Sequence, residues 1–285
     1  MSAVLHLVPD TSVGLAQARV ELLCDAGTFR PVRSAVGDGV VAGHGRVHGR
    51  AVWCWAQDGT YRGGSLGAAG GETIVRTIRS AQSAGAPVVG FPHSGGARLQ
   101  EGLGALTAYA AIFRAQSLAD VPQVSVVGGA CAGGAAYSPA LGDITVMAGP
   151  GARMFLTGPK VVERVTRERV TAEELGGPKV HAANGVAHLR AADDVEAADR
   201  VRDLLAHLPS VRGGALPLAP PDAAGLRDPS APVPAEHRLV YDVRDVARGL
   251  LDGGRLLELA PRWARSMVVG LGRIDGRPVG LIANQ

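Results

Sequence analysis

Two short runs of the chain hold residues suited to chemistry done by the backbone rather than by side chains. They are Ser94-Gly95-Gly96-Ala97-Arg98 and Cys131-Ala132-Gly133-Gly134-Ala135. Paired glycines let the main chain approach a ligand closely and turn amide N–H groups toward it. A helix beginning just after such a pair adds partial positive charge at its N-terminus. Donors arranged in this way stabilise an oxyanion. Losing one typically costs about 3 kcal/mol of transition-state stabilisation.

Other chemistries fit these residues less well. Neither loop is GxxxxGK[ST] or GxGxxG, so nucleotide-phosphate binding of those types is unsupported. Ser94 beside His93 suggests a nucleophile and its base, but a nucleophile elbow needs GxSxG, and Pro92 takes the first glycine position. Adjacent side chains on an extended chain also point apart. His181 and His188 lack metal-ligand partners at suitable spacing, so no metal is expected. Tyr137 is a candidate proton donor, with packing as the alternative role.

The loops need strands to hold them. Pro87–Phe91 and Pro122–Val127 read as short buried strands, each running into one of the loops, and a helix is expected from about Gly104 to Leu118. Ile144–Met147 and Met154–Leu156 read as a third and a fourth strand. Upstream, Leu15–Phe29 reads as a helix that runs into a turn at Asp25-Ala26-Gly27, followed by a β-hairpin over Gly37–Gln57 and a helix at Glu72–Ser83. A helix from Val195 to Leu208 stops at Pro209. This strand–loop–helix alternation implies βαβ units, a parallel sheet and an α/β class, with ligands at the carboxyl ends of the strands.

Composition narrows the function classes. Aromatics make up 4% of the 285 residues, beside 40 glycines and 18 prolines, which suits tight strand-to-helix turns. Lys160 and Lys179 are the lysines among 29 basic residues, leaving 27 arginines, yet no basic run with interleaved aromatics points to nucleic acid. Cys24, Cys54 and Cys131 are odd in number and far apart, which argues against a disulfide framework or structural zinc. Met1–Asp10 lacks the features of a signal peptide, and the uncharged stretch Val121–Leu141 reads as strand, glycine loop and helix start rather than a membrane span. A cytoplasmic location is the simplest expectation.

The chain also repeats itself. Met267–Asn284, MVVGLGRIDGRPVGLIAN, matches Val40–Gln57, VVAGHGRVHGRAVWCWAQ, at a constant offset of 227. Leu250, Asp252 and Gly254 match Leu23, Asp25 and Gly27 at the same offset. A duplicated fold unit is the expectation, its second copy reduced to an opening hairpin. The domain reading is therefore residues 1–212 as a first unit, 213–236 as a Pro/Ala-rich linker or wrapped arm, and 237–285 as the opening segment of a second, incomplete unit, the chain being either a fragment or completed by another polypeptide.

Four stretches resemble the β subunits of propionyl-CoA and acetyl-CoA carboxylases, the biotin-dependent acyl-CoA carboxyltransferases. They are Ser94–Gly102, Cys131–Leu141, Met154–Pro159, and Glu174–Gly177 with Gly185–His188. The similarity runs from about Ala16 to Gln285 and takes in Gly63-Gly64-Ser65-Leu66. The resemblance implies a crotonase-like (ClpP/crotonase) ββα-superhelix fold, with acyl-CoA on this N-terminal half. It implies biotin on a separate carrier protein, a biotin carboxylase/biotin carrier subunit and a second carboxyltransferase subunit or domain as partners in a hetero-oligomer, and neither nucleic acid nor membrane. In the family's reaction carboxybiotin releases CO2, the biotin anion takes the α-proton, and the enolate attacks CO2. Mapped onto this chain, the Gly133 and Gly134 amides hold the enolate oxygen, while Gly95, Gly96 and Ala97 line the transferred carboxyl. Ser94, Arg98, Gly64, Ser65, Ala135, Tyr137, Thr157, Gly158 and Pro159 complete the implied substrate site.

The chain departs from the family pattern at His93, Ala68, Gly70, Lys160, Arg167 and Pro178. It has no four-cysteine zinc ribbon and no biotin-attachment AMKM motif. Two further readings are a subunit of a biotin-independent acyl-thioester decarboxylase and a non-catalytic assembly subunit.

Overall fold

The computed structural model describes residues 14–32, 38–236 and 238–285. The opening segment considered above for a signal peptide lies outside them. The described chain begins with α1 (Leu15–Leu23), β1 (Arg30–Pro31) and the hairpin of β2 (Val40–Val47) and β3 (Arg50–Gln57). Next come α2 (Ala68–Ala84), β4 (Val88–Phe91), α3 (Leu103–Ser117), β5 (Gln123–Val127), β6 (Ala130–Ala132), α4 (Tyr137–Leu141) and β7 (Ile144–Ala148). Then follow β8 (Arg153–Phe155), α5 (Pro159–Thr166), α6 (Ala172–Gly176), α7 (Pro178–Ala183), β9 (Leu189–Ala191) and α8 (Asp194–His207).

Seven strands form one sheet in the order β1-β2-β3-β4-β5-β7-β9. The first three are antiparallel, and every step from β3 onward is parallel. Every residue of β4 and β5 is buried because both faces of the sheet are covered. Val89, Phe91, Val124 and Val126 cluster with Val20, Leu23, Val201 and Leu204 of α1 and α8. Val88 and Val127 cluster on the other side with Ile74, Ile78 and Ile112 of α2 and α3.

The first helix ends at Leu23, just before the turn expected at Asp25-Ala26-Gly27, because Asp25 is drawn out to tie the β2–β3 turn. One expectation needs correction. Met154–Leu156 does not add a fourth strand to the main sheet. After Ala148 the chain turns away through Gly149-Pro150-Gly151, with Gly149 at φ +74°. β8 then pairs in parallel with β6 in a separate two-stranded sheet. Parallel bridges Ser94–Cys131 and Leu66–Ala97 extend that layer across both glycine loops.

The internal repeat is structural. After the arm come α9 (Val243–Leu250), β10 (Leu257–Leu259), β11 (Met267–Ile274) and β12 (Arg277–Asn284). Val40 registers with Gln57 and Met267 with Asn284, each shifted by 227. β10 sits on β11 as β1 sits on β2, at the same shift. The Asp25 carboxylate accepts the His48 and Gly49 amides at 3.2 and 2.8 Å; Asp252 accepts those of Asp275 and Gly276 at 3.0 and 2.7 Å. Burial pulls the Asp25 carboxyl upward, but the Gly49 amide, Arg202 and the His48 amide outweigh it and hold it below its ordinary value.

The arm between the copies is anchored on the second one. Ala219 N–H donates to the Gly276 carbonyl at 3.0 Å, Gly253 N–H to that of Asp222 at 2.8 Å, and Arg227 N–H to that of Gly249 at 3.2 Å. Among the described residues β12 has one neighbour, β11. On β3 the corresponding free edge carries β4. Ile282 is accordingly 74% exposed where its counterpart Trp55 is 4%.

Candidate active site

The site lies beyond the carboxyl ends of β3, β4 and β5, where three backbone segments run side by side. Ser94 N–H donates to the Ala130 carbonyl at 2.7 Å, and Ala132 N–H returns to that of Ser94 at 2.9 Å. On the other side Leu66 N–H donates to Gly96 and Arg98 N–H to Leu66, both at 2.9 Å. The first glycine loop is thus stitched between Gly63–Leu66 and the second loop.

Their tips touch with no side chain between them. A Cβ on Gly96 (φ +106°) would begin 3.2 Å from the Ala132 carbonyl oxygen and 3.9 Å from Gly133 Cα. Gly64 (φ +69°) is held closer still, since a Cβ there would fall 2.6 Å from the His93 carbonyl oxygen. Gly133 (φ +59°) and Gly134 open the 3-10 turn Gly133–Ala136, which continues into α4. The first amides of such a turn find no carbonyl inside it. Among the described residues no other group accepts the Gly133 or Gly134 amide, nor those of Gly95 and Ala97. The Gly96 amide is taken by Ser94 Oγ at 3.1 Å.

A cavity of about 450 Å³ lies on the first-loop side of this junction, lined by Arg62, Ser65, Ala97, Arg98, Leu99 and Gln100. A larger one of about 860 Å³ lies between α8 and the second hairpin. There Arg200, Arg202 and Arg248 already pair with Glu196, Asp25 and Asp245. We place the site where the two glycine loops meet, on the side of the smaller cavity, because Ala97 of the first loop lines it and its amide has no protein acceptor.

The residues singled out from sequence divide into groups. Gly95, Gly96, Ala97, Gly133, Gly134, Ala135, Gly64 and Ser65 are gathered at the junction of the three segments. Arg98 is 5% exposed and donates to the Ser65 carbonyl at 2.7 Å and to Glu101 at 2.7 Å. Glu101 in turn accepts the Ala68 amide at 2.7 Å, capping α2, and that amide together with Arg98 holds its carboxyl below the ordinary value. Glu101 was not foreseen. Its signal was an opposite charge three residues after Arg98.

Thr157, Gly158 and Pro159 lie where β8 gives way to α5, with Pro159 in the first turn. No hydrogen bond among the described residues ties them to the glycine loops. Tyr137 is 48% exposed, its ring centroid 5.6 Å from that of Phe113.

Ser94 is fully buried, and its Oγ lies 3.3 Å from the Tyr109 hydroxyl rather than against His93. The His93 ring occupies the space that side chains at Gly59 and Gly129 would need, with Nδ1 buried and unpartnered. Burial, then nearby Arg19, lowers its pKa. This arrangement gives serine hydrolysis no support. His181 Nε2 lies 2.6 Å from the Met154 carbonyl oxygen, and His188 Nδ1 accepts the Thr145 amide at 3.1 Å. Both serve the scaffold. Among the described residues no three His, Cys, Asp or Glu side chains gather as metal ligands.

No helix among the described residues is long and apolar enough to cross a membrane. The family described as the carboxyl transferase domain matches residues 14–285. The carboxyltransferase subunit of propionyl-CoA carboxylase from Haloferax mediterranei is 41% identical, over 95% of this chain and 56% of that protein. The biotin-dependent acetyl-/propionyl-coenzyme A carboxylase beta5 subunit of Mycobacterium tuberculosis is 44% identical, over 88% of this chain and 48% of that protein. The chain thus spans about half the length of these relatives. The transcarboxylase 12S crystal structure with hydrolysed methylmalonyl-coenzyme A bound superposes at a TM-score of 0.89, with 38% identity over 95% of this chain and 57% of that one. The fold is therefore crotonase-like, as the resemblance implied.

Proposed function

The chain belongs to the carboxyl transferase domain family, and from that premise we propose that it binds a short acyl-CoA and stabilises its enolate during carboxyl transfer. One observation carries the proposal. Two glycine loops meet tip to tip, and the Gly133, Gly134, Gly95 and Ala97 amides at that junction have no protein acceptor. Gly95 is exposed and Gly133, Gly134 and Ala97 are half-buried, so a ligand can reach this cluster of free N–H donors, which fits a negatively charged partner.

The Gly133 and Gly134 amides hold the thioester oxygen as it takes on charge. Gly95 and Ala97 direct their N–H groups to the carboxyl being transferred, and the missing side chains leave room for reactants to meet in line. Biotin on a separate carrier supplies, when bound, the activated carboxyl and the base. Arg98 and Glu101 keep the Ser65 segment against the loop, so the cavity wall is set before substrate arrives.

A second carboxyltransferase subunit or domain completes the catalytic unit in this reading. The support is β12, whose outer edge repeats the edge of β3 that carries β4, and whose Ile282 is exposed where Trp55 is buried.

The test is incorporation of labelled bicarbonate into propionyl-CoA by the chain reconstituted with that second half and a biotin carboxylase/carrier subunit. Avidin-sensitive product is the expected result. Decarboxylation of a malonyl-type thioester that ignores avidin would replace this reading with the biotin-independent one. Assembly without acyl-CoA binding or turnover would leave a non-catalytic subunit.

A further inference from the structure

We infer that Tyr109 and Ser94 form a positioning pair that sets the geometry of both glycine loops. The inference rests on the enolate-stabilising reading above and adds two residues that act through the loops.

Tyr109 stands on α3, 5% exposed, beneath the junction of the loops. Its hydroxyl lies 3.3 Å from Ser94 Oγ, which accepts the Gly96 amide at 3.1 Å. The serine hydroxyl therefore holds the first loop from below, and by occupying the Gly96 amide it leaves those of Gly95 and Ala97 unpaired. The face of the same tyrosine carries the second loop, since a Cβ on Gly134 would begin 3.2 Å from its ring carbons. One side chain thus touches one loop through its hydroxyl and the other through its ring.

The backbone bonds between the loops involve Ser94, Ala130 and Ala132, all before the tips. They fix the stems and leave the tip angle to other contacts. Phe113 braces the tyrosine ring at a centroid distance of 5.8 Å and itself leans on Tyr137 at 5.6 Å. Ser94 is fully buried, so water cannot replace a lost partner there without rearrangement. Burial pushes the Tyr109 phenol up to about 12, so it stays protonated and serves as a fixed hydrogen-bond partner rather than an acid.

The test compares Tyr109→Phe, Ser94→Ala and the double variant in the reconstituted complex. Neither substitution adds volume, and Tyr109→Phe keeps the ring under Gly134. We expect each single variant to lose about tenfold in kcat, the worth of one net hydrogen bond. The acyl-CoA KM should stay within about twofold, because the effect falls on the transition state, while the thermal midpoint should fall in Ser94→Ala, which leaves the buried Gly96 amide unpaired. The double variant should be no worse than Ser94→Ala alone, since the two act in series. Unchanged kcat in Tyr109→Phe, or multiplied losses in the double variant, would overturn the pair while leaving the function intact. A parent complex without turnover would overturn the functional reading, and this inference with it.

Discussion

Gly133→Val in the reconstituted complex is expected to lower kcat for acyl-CoA carboxylation by about 10²–10³-fold, with the affinity for acyl-CoA changed only a few-fold. The loss is that of an aligned oxyanion donor, felt where negative charge develops rather than in ground-state binding. Gly133 has a φ of +59°, and a side chain there would meet only Gly96 Cα, at 3.9 Å. The valine Cβ therefore has room. The substitution acts by conformation, because a β-branched residue avoids the left-handed region and pulls the turn, with its two leading amides, out of line. Stability should fall by only about 1–2 kcal/mol. Turnover within threefold of the parent would show that these amides do not carry the charge.

The second large effect concerns the repeated hairpin and its arm. Gly49 and Gly276 occupy the same turn position in the two copies, both at φ +73°. A Cβ on Gly49 meets nothing within 4 Å, whereas one on Gly276 would lie 1.9 Å from the Ala219 carbonyl oxygen. Gly49→Ala should cost about 1 kcal/mol, the backbone penalty alone. Gly276→Ala adds a steric conflict that must expel the arm or bend the turn, for a total of about 3 kcal/mol. Urea unfolding of the two variants side by side measures the difference. Equal losses would mean the arm does not lie against the second hairpin.

What was legible in the residues and what was not follows from the range of each signal. The glycine loops and the strands before them are local features, and they stand where strand–loop–helix alternation puts them. The repeat was equally open to reading, because matches at an offset of 227 are written in the residues themselves. β6 was hidden, since a three-residue strand has no measurable period; β8 was legible as a strand at Met154–Leu156, but its sheet was not, because that pairing depends on the turn at Gly149.

Tyr109 was hidden for another reason. It follows Ala105 by four residues and precedes Ile112 by three, so helical spacing marks it as ordinary core. Its second task depends on Ser94, fifteen residues away in sequence and visible only once the loops are folded. Arg98 was read as a substrate contact. The clamp it forms with Glu101 and Ala68 spans 33 residues, and no spacing rule announces it. The anchoring of the arm also escaped notice, because its bonds run between backbone groups that any residue carries.

The central claim is that backbone amides of the glycine loops polarise a thioester carbonyl. Infrared difference spectroscopy of propionyl-CoA carrying ¹³C at the thioester carbonyl, bound to the complex, tests it most directly. The account predicts that the labelled C=O stretch moves to lower frequency on binding, and that Gly133→Val reverses most of the shift while substrate remains bound. A bound carbonyl at its frequency in water, or a shift that Gly133→Val leaves untouched, would contradict it.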